Sequence, residues 1–202
     1  MDLSAPGLEN PMLRLEPIAE RHRSTIFDSE IEKSVWKWMP ALPGGTSLKN
    51  YFDSMLAAQS RGLAATFILY RKSDDQFVGV TGFNDINKIH RRLRNAITWH
   101  PPHLATPELY QAGQVAMIQR AYDWRAKRLE WQINPNNDFI LAGVVSLKPT
   151  HEALFRNFER TADGVWVDKA VYAMTRPEMA DAIMRLKGAL FSADNRNSNL
   201  DD

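Results

Sequence analysis

Apolar residues along this chain follow two patterns, one with helical spacing and one with the composition of strands. Apolar side chains three and four positions apart predict helices over 20–33 and 47–61. Runs rich in β-branched and aromatic residues predict strands over 66–70 and 77–83, and the polar turn KSDDQ between them indicates an antiparallel hairpin. A weaker alternation over 12–18 predicts a first strand.

The middle of the chain predicts a strand, a loop and a helix in succession. The strand covers 93–99, and a loop broken by prolines follows it. A helix then begins at Thr106–Pro107, because threonine is a good N-cap and proline at the first helical position gives up an amide that has no partner there. A strand that leads through a loop to a helix N-terminus is the geometry that binds phosphate groups.

The second half of the chain predicts further strands over 129–133, 153–160 and 165–174, the last two as a hairpin. The capping box TRPE at 175–178 starts a last helix. Propensity alone favours a buried strand over 139–147, because β-branched residues dominate and a glycine weakens a helix. Together the elements predict an α+β fold, an α/β sandwich with a mixed, mostly antiparallel sheet and flanking helices.

The division of the chain is predicted as one domain over 12–191, with a flexible leader over 1–11 and a disordered polar tail over 192–202. Apolar residues make up 44% of the chain and charged residues 24%, the balance of a soluble globular protein.

Composition and charge exclude several classes of function. Twenty-five basic and twenty-four acidic side chains leave a net charge of +1, so no nucleic-acid partner is expected. The basic cluster Lys88, His90, Arg91, Arg92 and Arg94 is the exception, and it is either a solvated turn or a contact for an anion.

Metal sites, secretion and membrane insertion are not expected either. The chain has no cysteine, and its five scattered histidines show no metal-binding spacing. The N-terminus lacks the basic and apolar regions of a signal peptide, and no apolar segment approaches the length of a membrane span. A cytoplasmic protein is therefore expected.

The order β-α-α-β-β-β-α-β-α-β-β resembles that of the GNAT superfamily of acyl-CoA N-acetyltransferases. Four segments carry the likeness: LRLEPI at 13–18, WKWMP at 36–40, FVGVTGFNDIN at 77–87 and RLEWQINPNN at 128–137. They look most like the branch of the ribosomal-protein alanine acetyltransferases RimJ and RimL. The resemblance covers residues 12–180 and implies that 139–147 is a second crossover helix.

The resemblance implies transfer of an acetyl group from acetyl-CoA to a primary amine, either a protein N-terminus or a small-molecule amine, by direct attack. Backbone amides of the central strand would stabilise the oxyanion. The cofactor-binding residues that it implies are Ile97, Thr98, Trp99, Thr106, Pro107 and Asn137.

Two residues are candidates for the base that accepts the proton of the incoming amine. His100 lies just past the end of the central strand and has an intrinsic pKa near 6.5. Asp85 lies where the neighbouring strand ends. Trp36 and Trp38, on the loop after the first helix, would frame the entrance for the substrate.

Several positions depart from the pattern of the family. Leu104 and Ala105 stand where polar residues would precede the pyrophosphate-facing helix, and Glu108 in its first turn repels a pyrophosphate. Ile140 replaces a serine that would protonate the departing thiolate, and Tyr110 is the candidate substitute.

Two hypotheses therefore stand. The first is an acetyl-CoA-dependent N-acetyltransferase with an altered phosphate loop, and Asn137 and Thr106–Pro107 favour it. The second is a domain of GNAT shape that no longer acetylates and serves as a binding or regulatory module. A homodimer that buries Trp166 or Tyr172 of the closing hairpin is open under both.

Overall fold

The computed structural model describes residues 6–29 and 36–197. Within this part of the chain the strands are β1 (Leu8–Glu9), β2 (Leu13–Pro17), β3 (Ala65–Arg71), β4 (Gln76–Asn87), β5 (Arg92–Trp99), β6 (Arg128–Ile133), β7 (Thr150–Arg160) and β8 (Trp166–Thr175). The helices are α1 (Arg23–Phe27), α2 (Leu48–Ser60), α3 (Pro107–Asp123), α4 (Asp138–Ser146) and α5 (Arg176–Asn197).

The described strands form one sheet in the order β1-β2-β3-β4-β5-β6-β8-β7. All neighbours pair antiparallel except β5 and β6, which run parallel. This mixed, mostly antiparallel sheet with flanking helices confirms the predicted fold class.

The sheet divides where β5 leaves β6. Their parallel pairing begins with Arg92 opposite Arg128 and ends with Arg94 opposite Glu130, although β5 continues to Trp99. Backbone groups that face β6 beyond Arg94 therefore have no strand partner on that side. The separation of the two strands opens a cleft in the centre of the molecule.

Both faces of the sheet are covered, which explains the continuous apolar run of β3. Phe67 and Leu69 point into the larger core beneath α3, α4 and α5, whereas Ile68 points into a second core beneath α1 and α2. Successive side chains of a strand alternate between faces, so a strand buried on both faces reads as apolar throughout.

The helix predicted over 47–61 corresponds to α2, and the Ser47 hydroxyl accepts a bond from the Asn50 amide at 3.1 Å. The helix predicted over 20–33 is shorter. A 3-10 turn over Glu20–His22 leads into α1, which ends at Phe27, and residues 30–33 lie outside the described residues.

Residues 139–147 form a helix, as the resemblance implied and propensity did not. The Asn137 side chain caps α4 by accepting a bond from the Ile140 amide at 3.2 Å. Val144 and Leu147 are fully buried against the larger core. Capping and tertiary packing therefore outweigh the β-propensity of this segment.

Described elements extend into both ends of the chain. β1 lies within the leader and pairs with β2, with Leu8 opposite Leu15. The last helix continues through Asn197, past the predicted start of the tail. No helix in the described residues is long and apolar enough to cross a membrane.

Candidate active site

A cleft of about 730 Å³ opens where β5 and β6 diverge. One side of it is lined by the exposed edge of β5 and by the β6–α4 connection, including Thr98, Asn134 and Asn137. The other side is lined by α2 and by the segment around Trp38. Nearly all of these elements come from distant parts of the sequence, so the cleft exists only in the folded chain.

His100 lies at the end of β5 and lines this cleft, with 7% of its surface exposed. Its Nδ1 donates a hydrogen bond to the carbonyl of Val78 at 2.6 Å, because a carbonyl can only accept. Nε2 therefore carries the lone pair in the neutral ring, and it is buried without a partner among the described residues. Burial lowers the pKa of His100 below its ordinary value, which keeps the ring neutral near pH 7.

Gly79 makes room for this histidine. Its φ of +154° lies at the edge of the region that glycine favours, and a Cβ there would lie 2.7 Å from Nδ1 of His100. The glycine in FVGVTGF thus allows β4 to approach the ring closely enough for the Val78 bond.

The structure separates the two candidate bases. Asp85 is not among the residues lining the cleft, and its side chain is 64% exposed and paired with Arg94. Arg94 does line the cleft, where its Nε donates to Asn84 Oδ1 at 3.0 Å and its guanidinium also contacts Gln132. Arg94 therefore differs from the other members of the basic cluster, which are exposed at the β4–β5 turn.

A buried polar network, which the sequence analysis missed, holds the diverging part of β5. Gln114 of α3 accepts bonds from Asn95 Nδ2 and Trp131 Nε1, both at 3.0 Å, and donates to the Thr98 hydroxyl at 3.4 Å. Thr98 in turn contacts the Thr81 hydroxyl at 2.9 Å. A glutamine among the apolar residues of the inner face of α3 was the signal that could have revealed it.

The loop before α3 satisfies some of its own amides. A short 3-10 turn covers Pro102–Leu104, and the amides of Leu104 and Ala105 donate to the carbonyls of Pro101 and Pro102. The Thr106 hydroxyl accepts from the Leu109 amide at 3.3 Å. Pro107 has no amide to offer. Among the bonds formed within the described residues, the amides of Thr106 and Glu108 remain for a ligand at the helix N-terminus.

Neither Glu108 nor Tyr110 fills this end of the cleft. The side chain of Glu108 is exposed. Tyr110 is buried in the core, where its ring packs edge-on against Phe139 at 5.8 Å and covers Gly143. Burial raises the pKa of Tyr110, and its ring is absent from the described lining, so it does not take the place of the serine that Ile140 replaces.

The two residues predicted to bind the substrate, Trp36 and Trp38, lie on one segment beside the cleft. Trp38 lines the cleft, and Trp36 packs against Tyr51 with 5.2 Å between ring centroids. This segment is tied to the β7–β8 turn, because the Ala41 amide donates to Arg160 and the Ala162 amide donates to Met39, both at 2.8 Å. The cleft therefore has a fixed wall on this side.

An ion pair lies beneath that wall. Lys169 Nζ is 2.6 Å from Glu159 Oε1, and both residues line the cleft, with only 9% of the lysine side chain exposed. Burial, with a smaller contribution from the charge of Glu159, raises the pKa of Tyr51 to about 12. Its hydroxyl donates to the carbonyl of Pro40.

The remaining predicted cofactor residues border the cleft in part. Thr98, Trp99 and Asn137 line it, and Ile97 lies between two lining positions of β5. The described residues contain no cluster of acidic and histidine side chains that could hold a metal ion.

Comparisons with known proteins assign the fold. No protein-family model matches the chain, and no curated protein sequence matches it. Among solved structures it is similar to Mycobacterium smegmatis RimJ in complex with CoA-disulfide, with a TM-score of 0.77, 19% identity, and 91% of this chain and 92% of that chain covered.

Two further structures extend the likeness. The ribosomal-protein-S5-alanine acetyltransferase of Vibrio fischeri gives a TM-score of 0.68 at 13% identity, covering 84% of this chain and 96% of that one. Spermidine N-acetyltransferase of Vibrio cholerae, in complex with CoA and spermine, gives 0.71 at 10% identity, covering 85% and 99%. The chain thus has the GNAT acetyltransferase fold.

Proposed function

We propose that this chain is an N-acetyltransferase that moves an acetyl group from acetyl-CoA to a primary amine. The observation that carries the proposal is the buried, neutral His100, which lines the cleft between the diverging strands and whose Nε2 has no partner among the described residues. Such a lone pair can accept a proton from the nitrogen of an amine substrate.

The edge of β5 and the start of α3 support binding of the pantetheine arm and the diphosphate of the cosubstrate. The pantetheine arm would lie along the edge of β5, where the backbone of Ile97, Thr98 and Trp99 has no strand partner toward β6. Asn137 would border it from the opposite side. The diphosphate would meet the start of α3, where Thr106 and Pro107 form the cap.

Each residue has one role in the proposed reaction. Acetyl-CoA supplies an activated thioester, and the β5 amides would donate to its carbonyl oxygen as negative charge develops there. His100 Nε2 would accept the proton that the ammonium must lose before its nitrogen can attack. The new carbon–nitrogen bond forms and the carbon–sulfur bond then breaks, with its electron pair leaving on the CoA sulfur. The nitrogen loses its second proton to that sulfur, so CoA departs as the thiol. Asp85, exposed and paired with Arg94, is the weaker candidate for the base.

Partners and location follow the same proposal. The acceptor would be a protein N-terminus or a small-molecule amine in the cytoplasm, and two chains would pair through the closing hairpin. Trp166 of that hairpin is 61% exposed, whereas Tyr172 is half-buried against His151.

A second candidate function is a GNAT-shaped binding or regulatory domain without transferase activity. The engaged amides of the loop before α3 and the isoleucine at position 140 favour it. The two functions differ in whether the chain binds CoA at all.

Calorimetric titration with acetyl-CoA and with free CoA distinguishes them. We expect micromolar binding that Thr106→Asp weakens about fivefold, because aspartate keeps the N-cap but adds a negative charge beside the diphosphate. Thr106→Ser keeps the cap without the charge and should bind like the natural chain. Absence of heat at several hundred micromolar of either ligand would reject the transferase proposal.

A further inference from the structure

We propose that the acceptor is an amine carried on an apolar or aromatic body with no second positive charge. This proposal rests on the proposed function and specifies the substrate class of the same cleft. Its basis is an apolar arm of the cleft, defined by Leu48, Tyr51, Met55, Trp38 and Trp99.

One wall of the apolar arm is a single stripe of α2. Leu48, Tyr51, Met55 and Ala58 all line the cleft, and their spacing of three, four and three residues places them on one helical face. Leu48 and Met55 also pack on the second core beneath α2. The stripe therefore presents apolar side chains to the cleft from a helix held firmly against the sheet.

The neighbouring wall, on the same side of the cleft, is apolar as well. Trp38, Met39, Pro40 and Leu42 line it, on the segment that is tied to the β7–β8 turn. Walls of this kind surround an apolar ligand and remove its surface from water. A flexible polar chain would lose water contacts there without gaining hydrogen bonds.

Charge in the cleft disfavours a polyamine. Among the described lining residues the one carboxylate is Glu159, and Lys169 at 2.6 Å already neutralises it. Lys37 adds positive charge to the lining, whereas the charge of Arg94 is balanced by Asp85. A molecule with several ammonium groups would need several carboxylates to replace its hydration, and these described walls do not supply them.

The apolar arm leads to the proposed base. Trp99 packs on the second core with Met55 and Phe52, and the next residue along the chain is His100. Both residues line the cleft, so an amine whose apolar body occupies the arm would share one cleft with the proposed base. Size is limited by the cleft, which at about 730 Å³ must also hold the pantetheine end of the cosubstrate.

The test compares 2-phenylethylamine with spermidine. Binding is measured by calorimetry in the presence and absence of CoA, and kcat/KM is measured with acetyl-CoA. We expect 2-phenylethylamine to exceed spermidine at least about tenfold in both measurements. Equal or stronger binding of spermidine, or no binding of 2-phenylethylamine at millimolar concentration, would overturn the proposal.

Variants of α2 test whether this helix causes the preference for 2-phenylethylamine over spermidine. Met55→Glu should reduce the ratio of 2-phenylethylamine to spermidine about tenfold, whereas Met55→Leu should keep it. Ser60→Glu adds the same charge on the exposed end of α2, away from the cleft, and should also keep the ratio. An unchanged ratio in folded Met55→Glu would contradict the assignment of the arm.

Failure of this proposal is distinct from failure of the proposed function. A chain that binds acetyl-CoA and acetylates spermidine best remains a transferase, but its acceptor is then a polyamine. A chain that binds neither CoA nor 2-phenylethylamine fails both tests.

Discussion

At the scale of single residues, His100 combines burial with a fixed tautomer. The Val78 carbonyl holds the proton on Nδ1, so the lone pair on Nε2 is oriented before any substrate arrives. Burial without a countercharge costs little for a neutral ring and much for a protonated one. The residue is therefore suited to accept a proton from a ligand and release it to water rather than to hold a permanent charge.

The pH dependence of the proposed reaction follows from this environment. Protonated His100 cannot act as a base, and its pKa is lowered from the ordinary 6.5. We expect kcat/KM to remain level as the pH falls to about 6.5 and to decline only in more acid solution. The pH–rate profile of the natural chain, measured with saturating acetyl-CoA, checks this expectation.

Substitution of the histidine identifies the group that titrates. His100→Gln should lower kcat about 100-fold or more and should remove the acid limb of the profile. His90→Gln, at the exposed β4–β5 turn, is the matched control and should change neither. Retention of the acid limb in His100→Gln would assign the titration to another group.

Gly143 shows how one missing side chain shapes the packing of α4 against α3. A Cβ at this position of α4 would overlap the ring of Tyr110, which is buried on α3. We expect Gly143→Ala to reduce the free energy of unfolding by about 1–3 kcal/mol, measured by urea denaturation, although alanine favours helices. In a Tyr110→Leu background the same substitution should cost much less, and an equal cost would disprove the overlap.

At the scale of elements, α3 holds the part of β5 that diverges from β6 through hydrogen bonds of Gln114. Replacement of Gln114 by leucine leaves Asn95 Nδ2 and Trp131 Nε1 without their acceptor in the core. We expect Gln114→Leu to lower the free energy of unfolding by about 2–4 kcal/mol, since each unpaired buried group costs about 1–3. Urea denaturation measures this change.

The same helix supplies the control for this prediction. Gln119 bonds Asp123 at 2.8 Å in a contact exposed to solvent, so Gln119→Leu should change stability by less than about 0.5 kcal/mol. Similar losses in both variants would mean that the glutamine network contributes no more than helix propensity.

Helices that begin at a capping residue could be predicted from the sequence, whereas the hydrogen-bond network of Gln114 could not. Ser47 and Thr106 begin helices through contacts within three residues, so their sequence neighbourhood contains the whole interaction. Gln114 is bonded to residues 16, 17 and 19 positions away, on two different strands. The pairing of Asp85 with Arg94 likewise joins residues of two strands. Such contacts follow from the three-dimensional arrangement rather than from local pattern.

At the scale of the whole molecule, the closing hairpin carries an apolar surface that the described part of the chain does not cover. Leu154, Phe158, Val165 and Trp166 on or beside β7 and β8 are each 46–61% exposed. β7 is also an edge strand of the sheet. Proteins seldom expose both an edge strand and adjacent aromatic side chains to water, because together these promote binding of another protein chain.

We therefore expect two chains to pair through this hairpin. Sedimentation velocity at tens of micromolar should give the mass of a dimer, and Trp166→Glu should shift it to the monomer. Ile89→Glu, at the exposed β4–β5 turn, introduces the same charge at a side chain that is 89% exposed, and it should leave the dimer intact. A monomeric natural chain would show that the hairpin is free in solution. The turn of this hairpin is hydrogen-bonded to the cleft segment that contains Trp38. If pairing of two chains stabilises that segment, loss of the dimer should also weaken amine binding.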